Sequence, residues 1–394
     1  MADGWYEMKA RSRREFVSGA AQHAGGLIAA SLPFGAWGLG QGPAGSGESV
    51  VGPASLGAHA AAQGLLYGSA VNTRLASDAA YAALIRQQCG IVVAENAMKW
   101  GALRPTAETF RFDAADELVA FAEANHMKVR GHNLAWHRGN PKWFDATATK
   151  ENARRLLTTH IETVMGRYAG RMHSWDVVNE AIEVKDGRPD GMRNSAWLRL
   201  AGDDYIELAF RTARQADPKA LLTYNDYGIE AEAADAEQKR KAVLGLLRRM
   251  VRNGVPIDAL GVQSHIAASG KVYGAGLMGL LDAVHALGLQ VFVTEMDVND
   301  RALPADVQVR DREVAAAYKQ YLEVVLGSPA VRAVVTWGIT DRYTWLNGED
   351  SRADREPERT LPFDSNYAAK AAFFSMRAAL DSRGAGRRLD GAEK

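Results

Sequence analysis

Eight short apolar runs, rich in β-branched residues, punctuate the chain: Leu65–Asn72, Ile91–Ala94, Lys128–Trp136, Ser174–Asn179, Ala220–Asn225, Ala259–Ser264, Gln290–Thr294 and Ala333–Ile339. Such near-unbroken runs are what strands buried on both faces of a parallel sheet require. Between them lie longer stretches with helical period. In Asp113–Asn125, for example, Leu118, Phe121 and Ala122 share one face, Asp113 is placed to cap and Asp116 falls in the first turn. Strands alternating with helical crossovers predict an α/β fold, and eight strands are enough to close a barrel. An open doubly wound sheet is the alternative, but no Gly-rich phosphate loop follows the first run. The expected fold is a single (β/α)8, or TIM, barrel.

The pattern changes at the N-terminus. Arg13-Arg14-Glu15-Phe16 precedes a stretch, Phe16 to Gly47, without Asp, Glu, Lys or Arg. A positive region, an apolar region and then small residues is the order of an export signal. The Arg-Arg-x-Phe core resembles a twin-arginine signal, a receptor-read address. Ser31, Pro33 and repeated glycines weaken the reading as a membrane anchor. The expected organisation is a twin-arginine signal over 1–40, a flexible Gly-rich spacer over 41–62, the barrel over 63–382 and a polar tail over 383–394. The protein is therefore expected to be exported, without stable membrane association after cleavage.

Composition removes other classes. The 394 residues carry 47 Lys+Arg against 47 Asp+Glu, so the formal charge is zero and no basic face offers itself to nucleic acid. The single cysteine, Cys89, cannot form an internal disulfide or a thiolate metal cage.

Polar and aromatic residues gather at the ends of the apolar runs: Asn72; Glu95, Asn96, Lys99 and Trp100; His132, Trp136 and His137; Asn179 and Glu180; Tyr224, Asn225 and Asp226; Gln263 and His265; Glu295 and Asp297; Trp337 and Asp341. In a barrel those ends converge on one face, where active sites sit. Carboxylates, amides and indoles together suit a neutral polyhydroxylated ligand, a carbohydrate. Glu180 and Glu295 end the fourth and seventh runs, which face each other across a barrel mouth. Hydrolysis of a glycosidic bond needs one carboxylic acid and one carboxylate placed in that way. Of two carboxyl groups held so close, one keeps its proton near neutral pH.

The pieces Glu95-Asn96-Ala97-Met98-Lys99-Trp100, Arg130-Gly131-His132, Trp136-His137, Trp175-Asp176-Val177-Val178-Asn179-Glu180, Tyr224-Asn225-Asp226-Tyr227, Gln263-Ser264-His265, Thr294-Glu295-Met296-Asp297, Trp337-Gly338-Ile339 and Leu361-Pro362-Phe363-Asp364 occur in that order. With them the chain resembles the endo-β-1,4-xylanases of glycoside hydrolase family 10, from about residue 65 to 380. The resemblance implies Glu180 as acid/base and Glu295 as nucleophile, with retention of configuration. It implies that Glu95, Asn96, Lys99, His132, Trp136 and Trp337 hold sugars on the non-reducing side of the cut. Asn179 would bond the 2-hydroxyl of the sugar under attack, Gln263 assist the acid/base, His265 orient Glu295, Asp297 support that histidine and Trp345 roof the bound sugar. The implied substrate is xylan or a xylo-oligosaccharide; no cofactor or metal is expected, and the protein is expected to be a monomer.

One departure stands out. Where the family usually carries a Gln two residues after Trp136-His137, this chain has Gly139, with Arg138 and Asn140 as possible substitutes. The loop from Asp341 to Arg359 is dense in charge, read as solvated ion pairs, with recognition of acidic xylan branches by Arg352 or Arg355 as the alternative. Trp100 and Trp175 read equally as core or site, and Tyr224 and Asn225 as helix caps. Three other functions use the same residues. A metal hydrolase built on His132, His137, His265 and Glu295 would lack the helix-spaced histidine pair. A non-catalytic sugar-binding barrel would have no need of both glutamates. A glycosidase cutting β-1,4-glucan would share fold and acids.

Overall fold

The computed structural model describes residues 48–348 and 351–390, with side chains to Arg383. The expected signal segment lies outside the described residues. Among the described residues nine strands form: β1 Leu66–Val71, β2 Ile91–Ala94, β3 Lys128–Trp136, β4 Ser174–Asn179, β5 Leu221–Asp226, β6 Ala259–Val262, β7 His265–Ala267, β8 Gln290–Asn299 and β9 Val331–Thr336. All pairings among them are parallel, and β6–β8 and β1–β9 contacts close eight of them into a barrel wrapped by helices. The expected strands and closure are present.

The ninth strand was not anticipated. β7 pairs only with the outer half of β8, which runs five residues beyond the expected Thr294. That extension carries Glu295 and Asp297 up to the mouth, and the register sets His265 opposite Asp297.

Two boundaries differ from expectation. Part of the expected spacer is regular structure: a turn at Gly52–Ala54 leads into the helix Leu56–Ala62, capped by Ser55, whose side chain accepts from the Ala58 N–H. Leu56 and Ala60 are fully buried, and Leu56 N donates to Gln88 Oε1 at 3.0 Å. Gly57 lies here for contact, since a Cβ would meet the Gln88 carbonyl oxygen at 2.6 Å. Small residues suggested flexibility but permit close packing. Likewise the final helix, Ala371–Asp390, continues through much of the supposed tail, with Arg383 reaching the Val331 carbonyl at 2.8 Å.

The helix Asp113–Ala124 buries Leu118 and Ala122 as expected, but Asp113 does not cap it. Phe112 holds the cap position without a side-chain bond, leaving Asp113 and Asp116 in the first turn, where they favour the positive helix end. Trp100 and Trp175 are core residues, 1 % and 0 % exposed. The Trp100 indole N–H donates to the Leu134 carbonyl.

Candidate active site

Of the residues expected at the site, Trp136 and Asn179 end strands, Glu95, Asn96, Lys99, Glu180, Gln263 and Trp337 follow strand ends, His132 lies within β3, Glu295 and Asp297 lie in the outer half of β8, His265 opens β7, and Trp345 lies in the turn Trp345–Asn347 after β9. Glu180 follows β4 with a left-handed backbone, φ +57°. A non-glycine residue holds this conformation only when its surroundings over-determine it. Here the Glu180 N–H donates to the Asn225 carbonyl at 2.9 Å and its own carbonyl accepts from Arg193 Nε at 2.8 Å. Its carboxylate accepts from Trp136 Nε1 (2.8 Å), Gln263 Nε2 (3.1 Å) and Asn179 Nδ2 (3.2 Å). Burial pushes its pKa up, against the bonds from Trp136 and Gln263, and the charges of Asp226 and Glu295 add to the rise.

Glu295 is equally buried but moves the other way. Burial opposes the anion, yet His132, His265 and Lys99 together bring its pKa down to about 2. His265 Nε2 lies 3.3 Å from Glu295 Oε2, and its Nδ1 lies 2.9 Å from Asp297 Oδ1. Although burial disfavours the imidazolium, Asp297 and Glu295 raise its pKa well above the ordinary range. Asp297 also accepts from Trp345 Nε1 at 2.7 Å, and Trp345 stands edge-on to His265 with ring centres 5.3 Å apart. His132 Nδ1 contacts Asp176 Oδ2 at 2.9 Å and lies 3.9 Å from Glu295 Oε1. Asp176 is in turn paired with buried Arg130.

The two glutamates are joined by amides. Asn225 Nδ2 donates to Glu295 Oε1 (2.7 Å) and to Asn179 Oδ1 (2.8 Å), which also accepts from Gln263 Nε2 at 3.3 Å. Asn225 was read as a cap. It is instead the central link, fixed further by Thr294 Oγ1 donating to its Oδ1 at 2.7 Å. Room for it comes from Gly261, its register partner on β6, where a Cβ would sit 2.2 Å from Asn225 Oδ1. That glycine inside a strand, opposite an asparagine, was the available signal. Tyr224 is also no cap; it donates to Asp226, which pairs with Lys239 at 2.8 Å.

Toward the outer end, Lys99 Nζ donates to Asn96 Oδ1 at 2.9 Å and Asn96 Nδ2 to Glu95 Oε1 at 3.1 Å. The Lys99 ammonium lies 5.3 Å from the Trp136 ring centre and 5.8 Å from that of Trp337. Burial lowers its pKa, opposed by Glu295, Glu95 and Glu180. This end therefore pairs indole faces with amide and charged hydrogen-bonding groups, as sugar rings and hydroxyls require.

At Gly139 a side chain would rest on Trp136, with a Cβ 3.2 Å from the indole, and 3.7 Å from Asn133 Oδ1. Among the described residues neither Arg138 nor Asn140 makes a side-chain hydrogen bond in place of the missing one. Arg352 is 3 % exposed and consumed by the carbonyls of Asp300 (2.5 Å) and Leu303 (2.8 Å) and by Asp354, so it is structural and not open to an acidic branch.

Sequence comparison agrees with this geometry: the profile of glycosyl hydrolase family 10 matches residues 55–379. The chain belongs to glycosyl hydrolase family 10. It is 35 % identical over 306 residues to endo-1,4-beta-xylanase B of Thermotoga neapolitana, covering 77 % of this chain and 84 % of that one. Over 324 residues it is 36 % identical to the thermostable celloxylanase of Thermoclostridium stercorarium, covering 75 % and 80 %. Several longer relatives are matched over only 26–28 % of their length. Among solved structures, xylanase 10B of Thermotoga petrophila RKU-1 in complex with xylobiose superposes with a TM-score of 0.76 at 33 % identity, over 86 % of this chain and 99 % of that one.

Proposed function

We propose that this family 10 chain is an endo-1,4-β-xylanase that cuts internal β-1,4-xylosidic bonds of xylan by double displacement, with retention at the anomeric carbon. The observation that carries the reading is the pair of buried, amide-linked glutamates with oppositely displaced pKa values. Glu295, ionised, attacks the anomeric carbon while Glu180, protonated, donates to the departing glycosidic oxygen. The bond to the leaving sugar breaks and an ester to Glu295 forms. Esterification removes the Glu295 charge, one of the groups holding the Glu180 pKa up, so Glu180 is left as a base. It takes a proton from water, which displaces the ester and restores both groups. Asn179 bonds the 2-hydroxyl, Glu95, Asn96, Lys99, His132, Trp136 and Trp337 hold sugars on the non-reducing side, and Trp345 covers them.

The test is release of reducing sugar from xylan and from soluble cellulose, with the anomer of the first product followed by NMR. Xylan cleavage with β-product first supports the reading; first formation of the α-anomer overturns it. Predominant cleavage of cellulose would favour a β-1,4-glucanase, a second reading suggested by the name of the celloxylanase relative. We also propose that the protein is exported through the twin-arginine route, on the strength of Arg13-Arg14 before the uncharged stretch. Changing Arg13→Lys with Arg14→Lys should retain active enzyme inside the cell, as read by assay of the cell fractions. Unaltered export removes the pathway claim.

A further inference from the structure

Beyond the sugar-holding residues lies a cavity of about 200 Å3, between the turn after β1 (Thr73–Ala76), the segment after β2 and the helix Asp113–Ala124. Its walls are mostly apolar: Val71, Leu75, Ala97, Ala114, Leu118 and Phe121. It is continuous with the site, because Asn96 lines the cavity and also bonds Glu95 and Lys99. Asn72 stands at its other edge; burial raises the Glu95 carboxyl pKa, and Lys99, Asn72 and Asn96 oppose the rise.

The lining does not suit another sugar. A pyranose carries a hydroxyl on most of its carbons, and each one buried without a partner is costly. The two polar side chains nearest the sugar site are already engaged: Asn72 Oδ1 accepts from Arg74 N at 3.0 Å, and Asn96 is bound at both ends of its amide. The volume is below the ~300–1,000 Å3 of pockets that enclose a whole ligand, and is of a size for one flat ring. At the rim, Glu117 is exposed and forms no ion pair among the described residues, so its carboxylate is free to accept from a phenolic hydroxyl.

We propose that this cavity seats an aromatic acyl group, a hydroxycinnamate esterified to a branch sugar of the substrate chain. The inference rests on xylan as the substrate. Stacking on Phe121 and burial against Leu75 and Leu118 bind the ring, and Glu117 receives its hydroxyl. The decoration thus becomes a handle that holds the chain, where a purely polar cleft end would merely tolerate it.

The test uses one arabinose-branched xylo-oligosaccharide with and without a feruloyl ester, the second made by saponifying the first. The wild-type enzyme should show a kcat/KM about tenfold higher on the esterified compound, as burial of an aromatic ring supports. Ala114→Trp fills the cavity from an exposed helix position, and Leu75→Asp makes its wall polar. Either should bring the ratio to about one while activity on unbranched xylohexaose stays unchanged, which also shows that the variant is folded. A wild-type ratio of one or less overturns the proposal, as does a raised ratio that survives in a variant active on xylohexaose. A wild-type enzyme inactive on xylohexaose would instead sink the xylanase reading itself.

Discussion

Each of the two glutamates has a histidine beside it, and the two histidines behave oppositely. Next to Glu295, His265 is backed by Asp297, which makes the imidazolium stable and with it the carboxylate. Next to Glu180, His137 Nδ1 stands 3.8 Å away without a hydrogen bond. Burial, Arg193, Arg138 and Lys239 pull its pKa down to about 3, so it is neutral at working pH and lends Glu180 no charge. Glu180 is left with neutral donors from Trp136, Gln263 and Asn179, which do not offset its burial. The same residue type at the same kind of position supports an anion on one side and leaves an acid on the other. What differs is the sign of the groups behind it.

Removing one member breaks the pair most severely. Glu295→Ala should lower turnover by at least about 10⁴-fold without loss of the fold, since no second nucleophile replaces it. Added azide should restore cleavage of an activated aryl xylobioside, with an inverted product by NMR. Undiminished activity would eliminate the assignment. Glu180→Ala should be more selective. Polymeric xylan should lose on the order of 10²–10⁴-fold in kcat, whereas aryl xylobiosides with good leaving groups should show a burst and then slow turnover. Equal losses on both substrates would contradict Glu180 as the acid.

Asp297→Asn sharpens the contrast. Without the carboxylate behind it, His265 becomes less basic and gives Glu295 less support. The Glu295 pKa should then rise from about 2 toward its ordinary value, and the acidic limb of kcat/KM should move to higher pH. The basic limb, set by Glu180, should stay in place. An unmoved acidic limb would show that His132 and Lys99 suffice to hold the anion. The smallest effect is expected of Arg138→Ala, which removes an exposed charge behind His137. The histidine should titrate slightly higher by NMR, by about a few tenths of a unit at a screened site, and the basic limb of kcat/KM should not fall, because the histidine stays neutral there. A fall in His137 pKa would reverse the sign argued here.

Much of this arrangement was legible from periodicity. The eight barrel strands match the eight apolar runs, because strands buried on both faces must be apolar along their length. The polar residues that interrupt that rule at the strand ends mark the mouth. Less legible was the helix Leu56–Ala62. Its run of small residues carries no strong amphipathic stripe; only Leu56 and Ala60 are buried, and Gly57 permits close approach to the Gln88 backbone. Asn225 was misread for a related reason, since its role depends on space left by Gly261 on the next strand, some 36 positions away in sequence but register-paired.

The sequence by itself determined the strand order, the converging ring of carboxylates, amides and indoles, and the two glutamates best placed to share a bond, since these follow from hydrophobic period and from position along a strand. The resemblance named Glu180 as the acid, but only the tertiary structure gave the physical cause for its keeping the proton. That depends on Asp297 behind one histidine and on Arg193, Arg138 and Lys239 behind the other, charges that come from separate strands and loops. Coulomb interactions and burial act through space, over a few ångströms that sequence separation does not encode.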